Sequence, residues 1–185
     1  MSNKFKILIN SNKIFPTNSS SEWFKMVSYR LVIGIIVGII FSFFTVYFFN
    51  MEISLLQIYL QPDILKVIVI QIGANFKFDL LAFFTGTPNI GAFFAPQLLA
   101  CIFIGFLSGA ISKGLKRGLI AGSLVIIIDF LIWMLLSVIS GEDLMALFQG
   151  AQLFGTIGGI LSAIFGAIIG GLLGGIISGP YEEVY

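Results

Sequence analysis

Apolar residues run almost unbroken through four stretches of this chain, and the polar positions between them are few and unevenly charged. A helix needs about 20 mostly apolar residues to cross the hydrocarbon core of a bilayer. Leu31 to Phe49, Ile90 to Ser112, Leu119 to Ile139 and Phe154 to Ser178 all reach that scale, and none contains Lys or Arg. The pattern predicts an all-α integral membrane fold with four transmembrane helices in two hairpins. The last span is the longest, roughly 37 Å at 1.5 Å per residue, so it is expected to tilt or protrude. Residues 1–29 are polar and amide-rich and read as a tail ahead of a membrane domain at 30–185.

Residues 50–89 fit neither class, being too long for a plain connection and too apolar for a solvated loop. A fifth span from Ile64 to Phe84 would bury Lys66, Gln71, Asn75, Lys77 and Asp79. Each charge near the membrane centre costs about 2.5–3.5 kcal/mol, and a fifth crossing would move the Lys113 to Arg117 turn to the other side. We therefore expect the VIVI run at Val67 to Ile70 and FKFDLLAFF at Phe76 to Phe84 to be interfacial or partly re-entrant. They should pack on the outer face of the bundle, with Lys66 and Lys77 snorkelling at its edge.

Composition agrees with a lipid-embedded chain: of 185 residues 58% are apolar and 10% charged, with a mean hydropathy of +1.05. A net charge of +1 gives no reason to expect a nucleic-acid partner. The position of the charges carries more information. Lys4, Lys6, Lys13, Lys25 and Arg30 precede the first span, and Lys113, Lys116 and Arg117 fill the turn between the second and third. The other connections carry Lys66 and Lys77 against Glu52, Asp63, Asp79, Glu142 and Asp143. Basic loops stay in the cytoplasm, so both termini are expected there, in a multi-pass protein of the cell membrane. The Asn18-Ser19-Ser20 sequon would then be cytoplasmic and unglycosylated. The basic cluster of Arg30, Lys113, Lys116 and Arg117 is accounted for by topology and by anionic headgroups. The FKILI run at Phe5 to Ile9 is too short for a signal core, so the first span is expected to direct its own insertion.

Histidine is absent and cysteine is limited to Cys101. That excludes Ser/His/Asp and Cys/His nucleophilic chemistry, HExxH zinc sites and any intrachain disulfide. Neither a catalytic residue, a cofactor nor a metal is expected.

The fourth span carries the strongest pattern. Gly155, Gly159, Ala163, Ala167, Gly171, Gly175 and Gly179 recur every fourth residue, and Gly158, Ser162, Gly166, Gly170, Gly174 and Ser178 form the adjacent row. Residues four apart share a helix face, so the two rows make a broad smooth strip opposite a wall of Ile, Leu and Phe. Lipid tails are as apolar as Leu, and helices in a membrane associate where small residues let backbones approach. Shorter versions are Gly34 and Gly38 in the first span and Gly105 and Gly109 in the second. The strip can pack within one chain, or form a seam between chains or the wall of a narrow path.

Asp129 lies at the middle of the third span, in VIIIDFLIW. An ionisable residue at this depth is by default a functional hypothesis. With no Lys or Arg in any span to neutralise it, a protonated carboxyl bonded to a hydroxyl or carbonyl is expected, Ser42, Thr45, Ser123 and Ser162 being the available hydroxyls. Paired carboxylates for intramembrane aspartyl proteolysis are missing, since no other span contains Asp or Glu.

GFLSGAIS at Gly105 to Ser112 matches GLLGGIIS at Gly171 to Ser178 in residue type, and RLVIG at Arg30 matches RGLIAG at Arg117, as in a duplicated hairpin. The unit IGFLSGAISKGLKRGLIAGSL, Ile104 to Leu124, resembles small glycine-rich four-helix archaeal membrane proteins of unknown function. The resemblance covers the second to fourth spans and implies a fold without an activity.

Two functions fit this pattern. The first is a non-enzymatic accessory or scaffold subunit, or a homo-oligomer, whose glycine strip mediates close helix packing; its partners would be the bilayer and either itself or a larger membrane complex. The second is a small channel or transporter component moving a proton or cation by way of Asp129.

Overall fold

In lipid, glycine spacing decides which helices can touch, and in this chain it selects one junction. The computed structural model describes residues 29–86, 94–143 and 148–179. The N-terminal tail with its sequon, the start of the expected second span and the YEEVY end lie outside them. The elements are α1 (Tyr29–Phe48), α2 (Glu52–Leu60), α3 (Ile64–Gly73), a 3-10 turn (Ala74–Phe76), α4 (Leu80–Thr85), α5 (Pro96–Ser112), α6 (Leu115–Ile139) and α7 (Gly150–Ile177). Among the described residues there is no strand.

Four helical stretches are long and apolar enough to cross a membrane: Tyr29–Phe48, Ile64–Thr85, Leu115–Ile139 and Gln152–Ile177. This agrees with an all-helical, multi-pass membrane protein. The membership of the four differs from the sequence reading. Ile64–Thr85, set aside above as a span, meets the criterion, whereas Pro96–Ser112 is a shorter apolar helix. At 17 residues α5 is about 26 Å long, the lower end of what spans a bilayer. Helices α6 and α7 also begin earlier than expected, α6 taking Lys116 and Arg117 into its first turn.

The Ile64–Thr85 stretch is not one continuous helix. It unwinds through the 3-10 turn and the irregular residues 77–79 before α4. Its buried part, Val69, Ile72, Ala74, Asn75 and Phe76, lies in the core, deeper than packing on the outer face of the bundle would place it. Irregular backbone at membrane depth is tolerated where protein covers it. Polar groups in this segment are also satisfied locally: Asp63 caps α3 through the Leu65 amide at 2.9 Å, and Asp79 caps α4 through the Ala82 amide at 2.9 Å.

The tightest packing is backbone against backbone. A methyl built on Gly170 or Gly174 of α7 would run into the Ile102 or Phe106 carbonyl of α5. From the other side, methyls on Gly105 and Gly109 of α5 would meet the carbonyls of Ala167 and Gly171. Their register increases together, so α5 and α7 run parallel. Helix α6 lies against the same strip in the opposite sense, Gly118 facing Gly171 and Gly175 while Gly122 faces Ala167 and Gly171. Ala167 and Gly171 are therefore clasped by two glycines of α5 and two of α6. Such contacts bring Cα–H groups onto carbonyl oxygens, at about 0.5–1 kcal/mol each. Helix α1 joins through Gly34, against Ser108 and Ser112 of α5, and Gly38, against Val125 of α6.

The turn from α5 to α6 is only Lys113 and Gly114, both with positive φ (51° and 85°). Glycine adopts this left-handed region freely, whereas lysine does so at a cost. That tight reversal places the basic residues at one end of the bundle. The carboxylates Glu52 and Glu142 follow α1 and α6 at the other end.

Crowding varies along the α7 strip, which makes a direct test. Gly170→Ala should lower stability by about 1–3 kcal/mol, as overpacking does, because the carbonyl it meets belongs to a neighbouring backbone. Gly155→Ala, whose methyl would lie 3.7 Å from Asp79 Oδ2, should leave stability unchanged or slightly raised. Thermal unfolding in mild detergent reads both; equal effects would contradict the packing described.

Candidate functional site

Helix α6 buries Val125, Ile126, Asp129 and Trp133, a stripe at three- and four-residue intervals. The stripe is aimed by glycine on the opposite helix. A methyl on Gly38 would come within 2.7 Å of Val125 Cγ2, so only glycine lets α1 and α6 close at this level. One turn further along both helices, Ser42 stands beside Asp129.

Asp129 is 0% exposed, and neither carboxyl oxygen has a hydrogen-bond partner among the described residues. Ser42 flanks it but donates its own hydroxyl proton to the Ile39 carbonyl at 2.7 Å. Cys101 of α5, also 0% exposed, is close enough for its thiol to feel the carboxyl charge, and donates to the Asn75 carbonyl at 3.4 Å. Of the other hydroxyls expected near the carboxyl, Thr45 is engaged elsewhere. Ser123 is turned outward, donating to the Leu119 carbonyl at 2.9 Å, and Ser162 is buried in the α7 row. An unpaired carboxylate in such surroundings costs several kcal/mol. A proton or a cation on the group removes that cost.

The polar groups around Asp129 continue in both directions. Toward the acidic end, Thr45 Oγ1 donates to Asn75 Oδ1 at 2.7 Å, and Asn75 Nδ2 donates to the Ser42 carbonyl at 3.2 Å. Asn75 is 1% exposed and ties the 3-10 turn to α1. Toward the basic end, the Ser108 hydroxyl is buried without a partner among the described residues, and Ser112 donates to the Ser108 carbonyl at 2.8 Å. The sequence of groups Asn75, Thr45, Ser42, Asp129, Ser108, Ser112 is polar within an otherwise apolar core.

The remaining sequence-predicted residues separate into groups. Gly158, Ser162, Gly166, Gly170 and Gly174 are buried, as are Gly159, Ala163, Ala167, Gly171 and Gly175, whereas Gly155 and Gly179 are only partly covered. Gly166 faces Leu98 and Cys101, and Gly159 faces the Phe76 carbonyl. Lys113, Lys116 and Arg117 line a shallow hollow at the basic end, while Arg30 lies over the Tyr29 ring, 5.9 Å from its centroid. Sequence reasoning missed Asn75 and Ser108 as core residues, and missed Gly118 and Gly122 although they form a GxxxG pair. Among the described residues no group of three or more Cys, Asp or Glu side chains is placed to hold a metal ion.

Set against protein-family models, characterised proteins and solved structures, the chain matches none of them.

The Thr45–Asn75 bond is measurable as a coupling. Thr45→Val and Asn75→Ala should each lower stability, and the double variant should lose less than their sum by about 0.6–1.7 kcal/mol, the range for hydrogen bonds within membrane bundles. Additive effects in detergent unfolding would remove this contact from the account.

Proposed function

We propose that the chain is a small, non-enzymatic membrane protein of the channel or transporter kind, in which Asp129 takes up and releases a proton or monovalent cation. One observation carries this reading: a fully buried carboxyl, without a partner among the described residues, at the junction of α1, α5 and α6. Intramembrane carboxyls placed inside a bundle are the usual elements of ion and proton relays. The hydroxyls and amide on either side of Asp129 extend polar groups toward both ends of the core. The glycine contacts of α7 give that core a stiff wall.

We also propose the finer topology: α1, α5, α6 and α7 cross the membrane as two hairpins, with the basic end and both termini in the cytoplasm. The segment 50–89 then enters from outside and returns without crossing. An accessory or scaffold role rests on the same small-residue strip. Because its crowded positions face α5, α6, Phe76 and Asp79 of the same chain, self-association would fall to lipid-facing residues of α7 such as Phe154, Ile157, Leu161 and Phe165, which are exposed.

Reconstituted vesicles carrying an imposed proton or sodium gradient should dissipate it faster than empty vesicles, and Asp129→Asn should abolish the difference. Flux that survives the substitution would sink the reading. For the topology, Gln57→Cys and Lys116→Cys in a Cys101→Ser background should react with impermeant maleimide from opposite sides; labelling from one side would overturn it.

A further inference from the structure

A second polar site lies at the acidic end of the bundle, separate from Asp129. Helix α2, the segment from the end of α3 through residues 77–79, the starts of α5 and α7 and the ends of α1 and α6 line an open cleft of about 1270 Å³. That is large enough for a small organic solute, for which pockets of about 300–1,000 Å³ are usual. Its apolar floor is the ring pair Phe76 and Trp133, with centroids 5.7 Å apart and 7% and 9% exposed. The floor is built into the core: a methyl on Gly73 would come within 2.5 Å of the Trp133 indole nitrogen.

Two opposite charges reach the cleft without neutralising each other. Lys77 Nζ donates to Gln57 Oε1 at 2.8 Å and to Ser54 Oγ at 3.4 Å, both neutral acceptors. Glu142 acts on Lys77 through space and is held over the end of α6 by its amide, which donates to the Ser137 carbonyl at 3.0 Å. An ammonium held by neutral groups readily exchanges one of them for a carboxylate. Of the other carboxylates lining the cleft, Asp79 is occupied as the α4 cap. A purely anionic solute would meet Glu52, Asp79 and Glu142, and a purely cationic one would meet Lys77.

We propose that this cleft binds a small zwitterionic solute, an α-amino acid with an apolar side chain. Its carboxylate sits on Lys77, its amino group on Glu142 and its side chain on Phe76 and Trp133. The site goes beyond the proton- or cation-handling reading and does not depend on it, because binding without a gradient makes no use of Asp129.

The test is equilibrium binding of labelled L-phenylalanine to the full chain in nanodiscs. Competitors are phenethylamine, which lacks the carboxylate, and hydrocinnamate, which lacks the amine. Saturable binding of L-phenylalanine is expected, with each single-charge analogue about tenfold weaker or more, the worth of one charged hydrogen bond. Lys77→Gln should weaken L-phenylalanine by about tenfold and leave phenethylamine no weaker, whereas Glu142→Gln should spare hydrocinnamate. Retained analogue binding shows that each variant is folded. Absence of saturable L-phenylalanine binding to the wild-type chain, or analogues that bind equally well, would overturn the proposal. Asp129→Asn should leave binding intact, so failure of this site and failure of the relay are read separately.

Discussion

Everything in this bundle depends on the direct backbone contact of α7 with α5 and α6. Burying Leu or Ile against another helix gains little when the alternative is an acyl chain, so the helices must gain from closeness itself. Ala167 and Gly171 meet Gly105 and Gly109 on one side and Gly118 and Gly122 on the other. That junction fixes three helices at a separation that no larger side chain permits. Helix α1 then lies along α5 and α6, with Gly34 against Ser108 and Ser112 and Gly38 against Val125. The apolar residues left outside, such as Ile36, Ile40, Leu131 and Leu135, are exposed where lipid would be.

Close packing also explains why polar groups are affordable in the centre. A tight apolar shell makes an unsatisfied group costly, so the chain either satisfies such groups or uses them. Asn75 is satisfied by Thr45 and the Ser42 carbonyl, and this bond holds the unwound segment in the bundle. Asp129 has neither oxygen bonded among the described residues. That contrast between two buried polar residues in one core is the observation on which the proposed relay rests. The cleft above them shows a related arrangement at the surface, where Lys77 and Glu142 keep their charges apart.

The spacing of small residues made the strip of α7 readable in sequence, as did the buried position of Asp129 and the tight basic turn. Hydropathy located the apolar stretches. It could not show that Ile64–Thr85 unwinds inside the core, because that break is stabilised by Asn75 bonding to α1, a partner 30 residues away in sequence. The interfacial or partly re-entrant reading of this stretch counts its charges along a continuous helix. With the backbone broken at 77–79, Lys77 lines the cleft and donates to Gln57 and Ser54 of α2. Gly118 and Gly122 lie in the RGLIAG match, and their four-residue spacing marks the same kind of close contact as the strip of α7.

The central claim is that Asp129 binds and releases a proton or cation within a rigid core. Infrared difference spectroscopy of the reconstituted protein addresses it most directly, by following the carboxyl stretch while a proton or sodium gradient is applied and removed. The account predicts a carboxyl band that changes with the gradient and is absent from Asp129→Asn. A band assigned to Asp129 that stays constant under both gradients would contradict it.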